Sequence, residues 1–213
     1  MWVTAEEFVK LTELSKDQLL AMTRGTFIKD QPGDSPSLPA PPMLMIDRVF
    51  GVEHKRKRGR IIGEKDIKPD DWFFQCHFRD DPVMPGCLGM DAVWQLIGLY
   101  NSLRTVGVGA GRALGCGDAD FFGQVQPHHK VLRYEVDIKR VSFSKQLNST
   151  ITVADANVFV DDKHIYAIKS ARVGIFQHLK YRDYPFTNEK NHHRLNQLAQ
   201  DAGDEQSEIL RRL

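Results

Sequence analysis

The sequence predicts an α+β fold in which one long helix lies among antiparallel strands. Residues 87–103 are apolar on nearly every side, as expected for a helix inside a protein core. Apolar and polar residues alternate over 134–139, which is the period of a strand with one buried face. Two longer strand-forming runs, 151–160 and 165–176, flank a hairpin turn at 161–163. A helix inserted among antiparallel strands defines the α+β class.

The chain before the core predicts a helical segment and a connection. Residues 4–24 favour helix, with N-caps at Thr4 and Ser15 that are each followed three residues later by a capping partner, Glu7 and Gln18. The prolines of 30–42 exclude helix and central strand there. We therefore predict an N-terminal helical segment with a Pro-rich connection over 1–36.

The main domain is expected over 37–180. Its first strand is predicted at 43–50 and its second around residues 61–62, with the basic run 55–58 as a solvated turn between them. A short helical turn is expected at 66–72. The glycines over 107–117 indicate a flexible connection and a strand with close packing. The polar remainder, 181–213, has weak helical periodicity and is predicted to be a surface tail.

Composition limits the classes of function. The 213 residues, 41% of them hydrophobic, suit one domain with a core, and a net charge of +1 gives no indication of nucleic-acid binding. Three cysteines without metal-like spacing indicate reduced thiols in a cytoplasmic protein. No apolar run reaches 18 residues, so we expect no membrane span.

A histidine, a rigid turn and an acid converge in the stretch 72–102. His77 lies between aromatic residues and is followed by a Pro-Gly turn over 81–86, after which Asp91 falls within the apolar helix. Alone, His77 could be a core histidine and Asp91 an ordinary first-turn acid. Together they supply a base, backbone N–H donors at a helix N-terminus and an acid. Gln95, Gly98 and Ser102 continue the stripe of Asp91 along one side of the helix, with room for a ligand.

Four segments carry a specific resemblance: LPAPPMLMIDRV, WFFQCHF, DPVMPGCLGMDAVWQL and GRALGCGDADFFGQV. They resemble the bifunctional 3-hydroxydecanoyl-acyl-carrier-protein dehydratase/isomerase family of bacterial type II fatty acid synthesis. The resemblance implies a hotdog fold, an antiparallel sheet wrapped round a long apolar helix, in a homodimer without metal or organic cofactor. It places the catalytic roles on His77 and Asp91. It places the thioester-binding backbone amide at Gly86, beside Cys87.

The predicted reaction is dehydration of a 3-hydroxyacyl thioester. His77 removes the C2 proton, Asp91 assists departure of the C3 hydroxyl, and the Gly86 N–H stabilises the charged carbonyl oxygen. Val83, Gln95 and Gly98 complete the predicted substrate contacts. Asp rather than Glu at 91 resembles the bifunctional type, which also moves the double bond from trans-2 to cis-3.

Alternatives and partners stay open on the sequence alone. A hotdog thioesterase, an acyl-chain-binding module and a metal hydrolase are the rivals. The metal hydrolase would use His77, His128, His129 and Asp91. Acyl carrier protein is the expected partner, and the predicted contacts are the basic residues on or after one strand: Arg133, Lys139, Arg140 and Lys145. The resemblance also implies that each site takes its histidine from one chain and its aspartate from the other. The 14-residue spacing between His77 and Asp91 permits either arrangement.

Overall fold

The computed structural model describes residues 2–30, 37–104, 109–144 and 149–177. The helices are α1 (Ala5–Phe8), α2 (Lys16–Thr23) and α3 (Gly86–Arg104), with a short 3-10 turn at Trp72–Gln75. The strands are β1 (Arg48–Lys55), β2 (Arg58–Asp66), β3 (Ala110–Gly115), β4 (Ala119–Phe121), β5 (Val131–Ser144), β6 (Ser149–Val160) and β7 (Lys163–Phe176). The predicted tail, 181–213, lies outside the described residues.

The seven strands form one antiparallel sheet in the order β1-β2-β5-β6-β7-β3, with β4 paired to β7. Alternating burial along β5 and β6 confirms the strand period expected from the sequence. The predicted hairpin turn is also present. Asp161 and Asp162 have φ values of 46° and 67°, the left-handed pair that suits the right-handed twist of a two-residue hairpin.

Helix α3 packs against β2, β5, β6 and β7. Leu96, Ile97, Tyr100 and Leu103 are fully buried, because the sequence gives the helix an apolar residue on almost every side. The observed bounds, Gly86–Arg104, extend the prediction by one residue at each end. An antiparallel sheet around a central apolar helix is the hotdog architecture, and the predicted fold class is confirmed.

The first strand begins later than predicted. β1 starts at Arg48, whose partner on β2 is Glu64, and 43–47 is not part of a strand. The physical reason is a side chain on α3: Gln95 binds the backbone groups of Met43 and Met45. The predicted turn at 66–72 is likewise displaced, since β2 continues to residue 66 and the helical turn forms at Trp72–Gln75.

The predicted N-terminal helix is divided in two. Both predicted capping boxes form, one at Thr4 with Glu7 and one at Ser15 with Gln18. Between them Leu14 exchanges two backbone hydrogen bonds of 2.8 and 2.9 Å with Val49, so that this segment covers the outer edge of β1. In the part of the chain that the structure describes, no helix is both long and apolar enough to cross a membrane.

Candidate active site

The His77 ring has a defined orientation. Its Nδ1 lies 2.8 Å from the carbonyl oxygen of Val83. A carbonyl oxygen only accepts hydrogen bonds, so Nδ1 carries a proton, and in the neutral imidazole Nε2 is the nitrogen with the free lone pair. The Val83 N–H also donates to the His77 carbonyl at 2.8 Å. Val83, predicted to contact substrate, therefore orients the histidine through its backbone.

The surroundings of His77 are aromatic, as the sequence predicts. Phe73 and Phe74 are buried, and the His77 backbone N–H donates to the Phe73 carbonyl at 2.9 Å. The Phe78 ring lies 3.8 Å from the imidazole, centroid to centroid, and is 55% exposed. His77 is thus half-buried. Its buried aromatic neighbours are Phe73 and Phe74, and its exposed one is Phe78.

The Pro-Gly turn presents unpaired donors at the start of α3. The Met84 N–H donates to the Val125 carbonyl at 2.9 Å, which fixes the turn to the chain before β5. Neither the Gly86 nor the Cys87 N–H has an acceptor among the described residues. Orphan N–H groups at a helix N-terminus are suited to stabilise negative charge on a substrate oxygen.

Two aromatic rings that the sequence analysis missed form the wall beside this turn. A Cβ at Gly86 would lie 2.7 Å from the Phe121 ring, and one at Gly89 would lie 2.6 Å from the Tyr166 ring. The two rings contact each other edge to face at 4.7 Å. Burial, with a smaller effect of nearby Cys87, raises the pKa of Tyr166 to about 12. The signal in the sequence was the pair of glycines three residues apart on one helix face.

Asp91 is held by Gln95, one turn further along α3. The amide nitrogen of Gln95 donates to Asp91 Oδ2 at 2.6 Å and to the Met43 carbonyl at 2.8 Å. Its amide oxygen accepts from the Met45 N–H at 3.0 Å. Both amide protons of Gln95 are therefore used within the protein. Gln95, which the sequence predicts as a substrate contact, orients Asp91 in the structure.

The rest of the stripe leaves space. A Cβ placed on Gly98 would meet no atom within 4 Å. Ser102 is buried and donates to the Gly98 carbonyl at 3.3 Å. The open space beside Gly98 lies further along α3 than Asp91, where a chain attached to a reacting carbon could extend.

Within the chain, His77 and Asp91 belong to two separate hydrogen-bonded groups. His77 is bound to Val83, and Asp91 is bound to Gln95. No hydrogen bond or ion pair in the described part of the chain joins His77 to Asp91. The side chains of His77 and Asp91 are therefore held in place independently.

The predicted carrier-protein contacts do not form one group. Arg133 is paired with Glu64 at 2.8 Å and Lys139 with Asp155 at 3.1 Å. Six residues of strand separate these two cations by roughly 20 Å. Arg140 is exposed. Lys145 lies outside the described residues.

The cysteines and the predicted metal ligands do not form a metal site among the described residues. Cys76, Cys87 and Cys116 are free. His129 accepts the Gln126 N–H at 2.9 Å, and the His128 ring lies 4.2 Å from it. The described residues contain no group of three or more His, Cys, Asp or Glu side chains placed to hold a metal ion.

The fold agrees with a comparison against protein families. A family model described as the FabA-like domain matches residues 38–169, which is more than half of the chain. The chain belongs to the FabA-like family. The FabA-like match begins in the proline-rich connection, contains His77, Gly86 and Asp91, and ends within β7.

Solved structures similar to this FabA-like chain include two described as dehydratases and one described as a hypothetical thioesterase. The dehydratase heterocomplex ApeI:P from Xenorhabdus doucetiae is 11% identical, with 86% of this chain and 98% of that chain covered and a TM-score of 0.46. The MaoC-like dehydratase from Rhodospirillum rubrum is 12% identical, with 56% and 92% covered and a TM-score of 0.38. A hypothetical thioesterase with coenzyme A from Streptococcus pneumoniae is 11% identical, with 59% and 85% covered and a TM-score of 0.40.

Proposed function

We propose that the protein dehydrates 3-hydroxyacyl thioesters carried by acyl carrier protein, giving trans-2-enoyl thioesters and water, in fatty acid biosynthesis. The observation that carries this proposal is the fixed tautomer of His77, which leaves Nε2 as a base beside an apolar wall. Family membership supports it, because His77, Gly86 and Asp91 all lie inside the matched segment.

The first step is removal of the C2 proton. His77 Nε2 takes this proton, and the electron pair of the C2–H bond moves toward the thioester carbonyl, whose oxygen gains negative charge. The N–H groups of Gly86 and Cys87 donate to that oxygen. Donors that are already in place at a developing charge typically lower a barrier by a few kcal/mol.

The second step is loss of the C3 hydroxyl. The electron pair returns to form the C2=C3 bond as the C3–O bond breaks, and Asp91 gives the departing hydroxyl a proton so that it leaves as water. The proton that His77 gained then returns to Asp91 or to solvent, which resets the site. The elimination of water involves no net oxidation or reduction, so the chemistry calls for no redox group.

A second protomer completes each site in this proposal. His77 and Asp91 have separate supports in one chain, and β3 lies at the end of the sheet with no further strand beside it among the described residues. Phe121 and Phe122, 49% and 55% exposed, lie at the end of β4, which pairs with β7 as β3 does. Pairing of two β3 edges in a homodimer would cover exposed strand and aromatic surface. It would also allow His77 of one chain to face Asp91 of the other.

Isomerisation is the finer part of the proposal. After dehydration the same base can remove a proton from C4 and return one to C2, which shifts the double bond from trans-2 to cis-3 without change of composition. The aspartate at 91 supports this step, because the bifunctional enzymes that the sequence resembles have Asp there.

The decisive experiment offers purified protein a 3-hydroxyacyl-carrier-protein thioester and follows the products by mass spectrometry and thiol titration. Loss of water with the thioester intact is expected, and gas chromatography of the released acyl chains separates trans-2 from cis-3 isomers. Free thiol without enoyl product would establish a thioesterase and overturn the proposal. Binding without either product would indicate an acyl-chain-binding module.

A further inference from the structure

The turn between β1 and β2 brings together two basic runs that are distant in sequence. Arg56, Lys57 and Arg58 are exposed at the hairpin turn. The Val141 N–H donates to the Lys57 carbonyl at 3.0 Å, which places the turn beside Arg140 on β5. We call Arg56, Lys57, Arg58 and Arg140 the basic tip.

The cations of the basic tip have no carboxylate partner among the described residues, whereas the nearby carboxylates are all engaged. Glu53 binds Lys55 at 2.6 Å, Glu135 binds Arg60 at 2.6 Å, and Asp155 binds Lys139 at 3.1 Å. At the other end of the same strands the arginines are neutralised, since Arg48 and Arg133 both bind Glu64. The uncompensated positive charge of this part of the sheet is therefore concentrated at the tip.

The backbone of the tip is held in place by the end of α3. Arg104 donates to the Arg56 carbonyl, and the Tyr100 hydroxyl donates to the Arg58 carbonyl at 3.0 Å. With the bond from Val141, all three carbonyls of 56–58 are occupied. Gly59 makes the close approach possible, because a Cβ there would collide with the Tyr100 hydroxyl. A binding surface that is ordered in advance loses less conformational entropy when a partner docks.

The position of Arg104 adds to the local charge. Burial, and after it the positive charge of Arg104, lower the pKa of His54, which precedes the tip. The positive charge of Arg104, close to the tip, therefore disfavours protonation of His54. An acidic partner would relieve this repulsion and add favourable contacts.

We infer that the basic tip is a docking surface for an acidic protein, which under the proposed function is the carrier protein that delivers the acyl thioester. Three of the four tip residues are arginines, whose planar forks bind carboxylates in pairs. Phe143 lies two residues beyond Val141 and is 60% exposed. Arginine and aromatic residues are both enriched at protein–protein interfaces. A membrane surface more often binds an amphipathic helix, and a chain of net charge +1 lacks the broad basic field of a nucleic-acid binder.

This inference revises the carrier-protein contacts predicted from sequence. It keeps Arg140, excludes Arg133 because Glu64 neutralises that arginine, and adds the hairpin turn. The partner that we name rests on the proposed function, whereas the surface rests on the contacts of the tip alone.

The test measures binding directly, without catalysis. Fluorescence anisotropy of labelled holo-acyl carrier protein is recorded at low ionic strength with the wild type and with the double variant Lys57→Glu/Arg140→Glu. The matched control is Lys68→Glu/Lys163→Glu, which changes the net charge equally at exposed lysines outside the tip. Thermal unfolding checks each variant, and Lys57→Gln/Arg140→Gln provides a milder change at the same positions.

We expect the tip reversal to raise the dissociation constant at least ~10-fold, the neutral variant to raise it less, and the control to bind as the wild type. Added salt should weaken wild-type binding most. Equal weakening by tip and control variants, or unchanged binding by the tip variant, would overturn the inference. Tip-dependent binding to vesicles of phosphatidylglycerol or to DNA, without carrier-protein binding, would also overturn it. Carrier-protein binding through the tip by a protein that dehydrates no 3-hydroxyacyl thioester would refute the proposed reaction and leave the docking surface standing.

Discussion

Gln95 donates a 2.6 Å hydrogen bond from its amide nitrogen to Oδ2 of Asp91, and its other polar contacts are to the backbone at Met43 and Met45. The acid of the candidate site is thereby tied to the segment that precedes β1. This segment lies about fifty residues earlier in the chain, so that the position of Asp91 depends on tertiary structure as well as on α3.

Replacing Gln95 with Leu should lower kcat for dehydration by ~10-fold or more while KM changes little, because Asp91 loses its orientation. The buried Met45 N–H also loses its acceptor, which should cost about 1–3 kcal/mol of unfolding free energy in urea titrations. Ser102→Ala, on the same stripe, is the matched control and should leave kcat near the wild type.

The Gln95→Glu variant distinguishes the effect of Gln95 on Asp91 from its contribution to stability. A glutamate still accepts from Met45 but places a second carboxylate beside Asp91, which disfavours ionisation of both groups. The pH profile of kcat should therefore move upward while much of the lost stability returns. A Gln95→Glu variant with both the kcat and the pH profile of the wild type would show that Gln95 has only a structural role.

Much of the fold could be predicted from local pattern, and the failures share a cause. The helix over 86–104 follows from the periodicity of its apolar residues, and the turn at 161–162 follows from its own residue types. Both signals are local in the sequence. The predicted start of β1, at residue 43, was wrong because Gln95, distant in sequence, binds the backbone of residues 43 and 45. Arg133, predicted as a carrier-protein contact, is paired with Glu64 of β2, and pairing across strands has no local signal in the sequence.

The same distinction applies to the candidate site. The residue types and their order were visible in the sequence, from the histidine to the acid on the helix. The tautomer of His77 and the constraint on Asp91 were not visible, since both depend on carbonyl and amide groups brought near by folding. Phe121 and Tyr166 escaped notice for the same reason, although two helical glycines marked where they approach.

Replacing two glycines of α3 with alanine should change the free energy of unfolding in opposite directions. Gly89→Ala places a Cβ 2.6 Å from the buried Tyr166 ring, and such overpacking should cost about 1–3 kcal/mol of unfolding free energy. Gly98→Ala meets no atom within 4 Å and should gain about 0.5–1 kcal/mol from helix propensity. Urea unfolding measures both changes, and each variant serves as the control of the other.

If the space beside Gly98 holds the acyl chain, Gly98→Ala should also reduce activity on long-chain substrates more than on short-chain ones. Greater stability with an unchanged chain-length profile would remove Gly98 from the substrate path. Destabilisation by Gly98→Ala would show that the apparent space is filled in the assembled protein.

Asp161 should contribute stability that disappears in acid. Hydrogen bonds from the Val131 and Lys130 N–H groups hold the pKa of Asp161 below its usual value. A carboxylate whose pKa is lowered by folding stabilises the protein above its unfolded pKa, near ~3.9, and loses this effect as the pH falls through the folded value. Asp161→Asn, which tolerates the positive φ at this turn, should therefore be less stable than the wild type at pH 7. The two proteins should converge once the pH falls below the lowered, folded-state pKa of Asp161. A difference in urea midpoint that persists in acid would assign the contribution to hydrogen bonding alone.

The proposed exchange of residues between protomers can be tested by complementation. His77→Ala removes the base and Asp91→Asn removes the acid, and each single variant should lose at least ~10²-fold in activity. When the two inactive proteins are mixed and subunits exchange, a shared-site heterodimer has one doubly defective site and one intact site. Activity should then return to about half of the wild-type value per heterodimer, under the symmetry of a two-fold dimer. Subunit exchange is verified by native mass spectrometry of the mixture, and mixing of two His77→Ala preparations is the control. Verified heterodimers without recovered activity would show that each chain assembles its own site, with His77 and Asp91 acting from the same protomer.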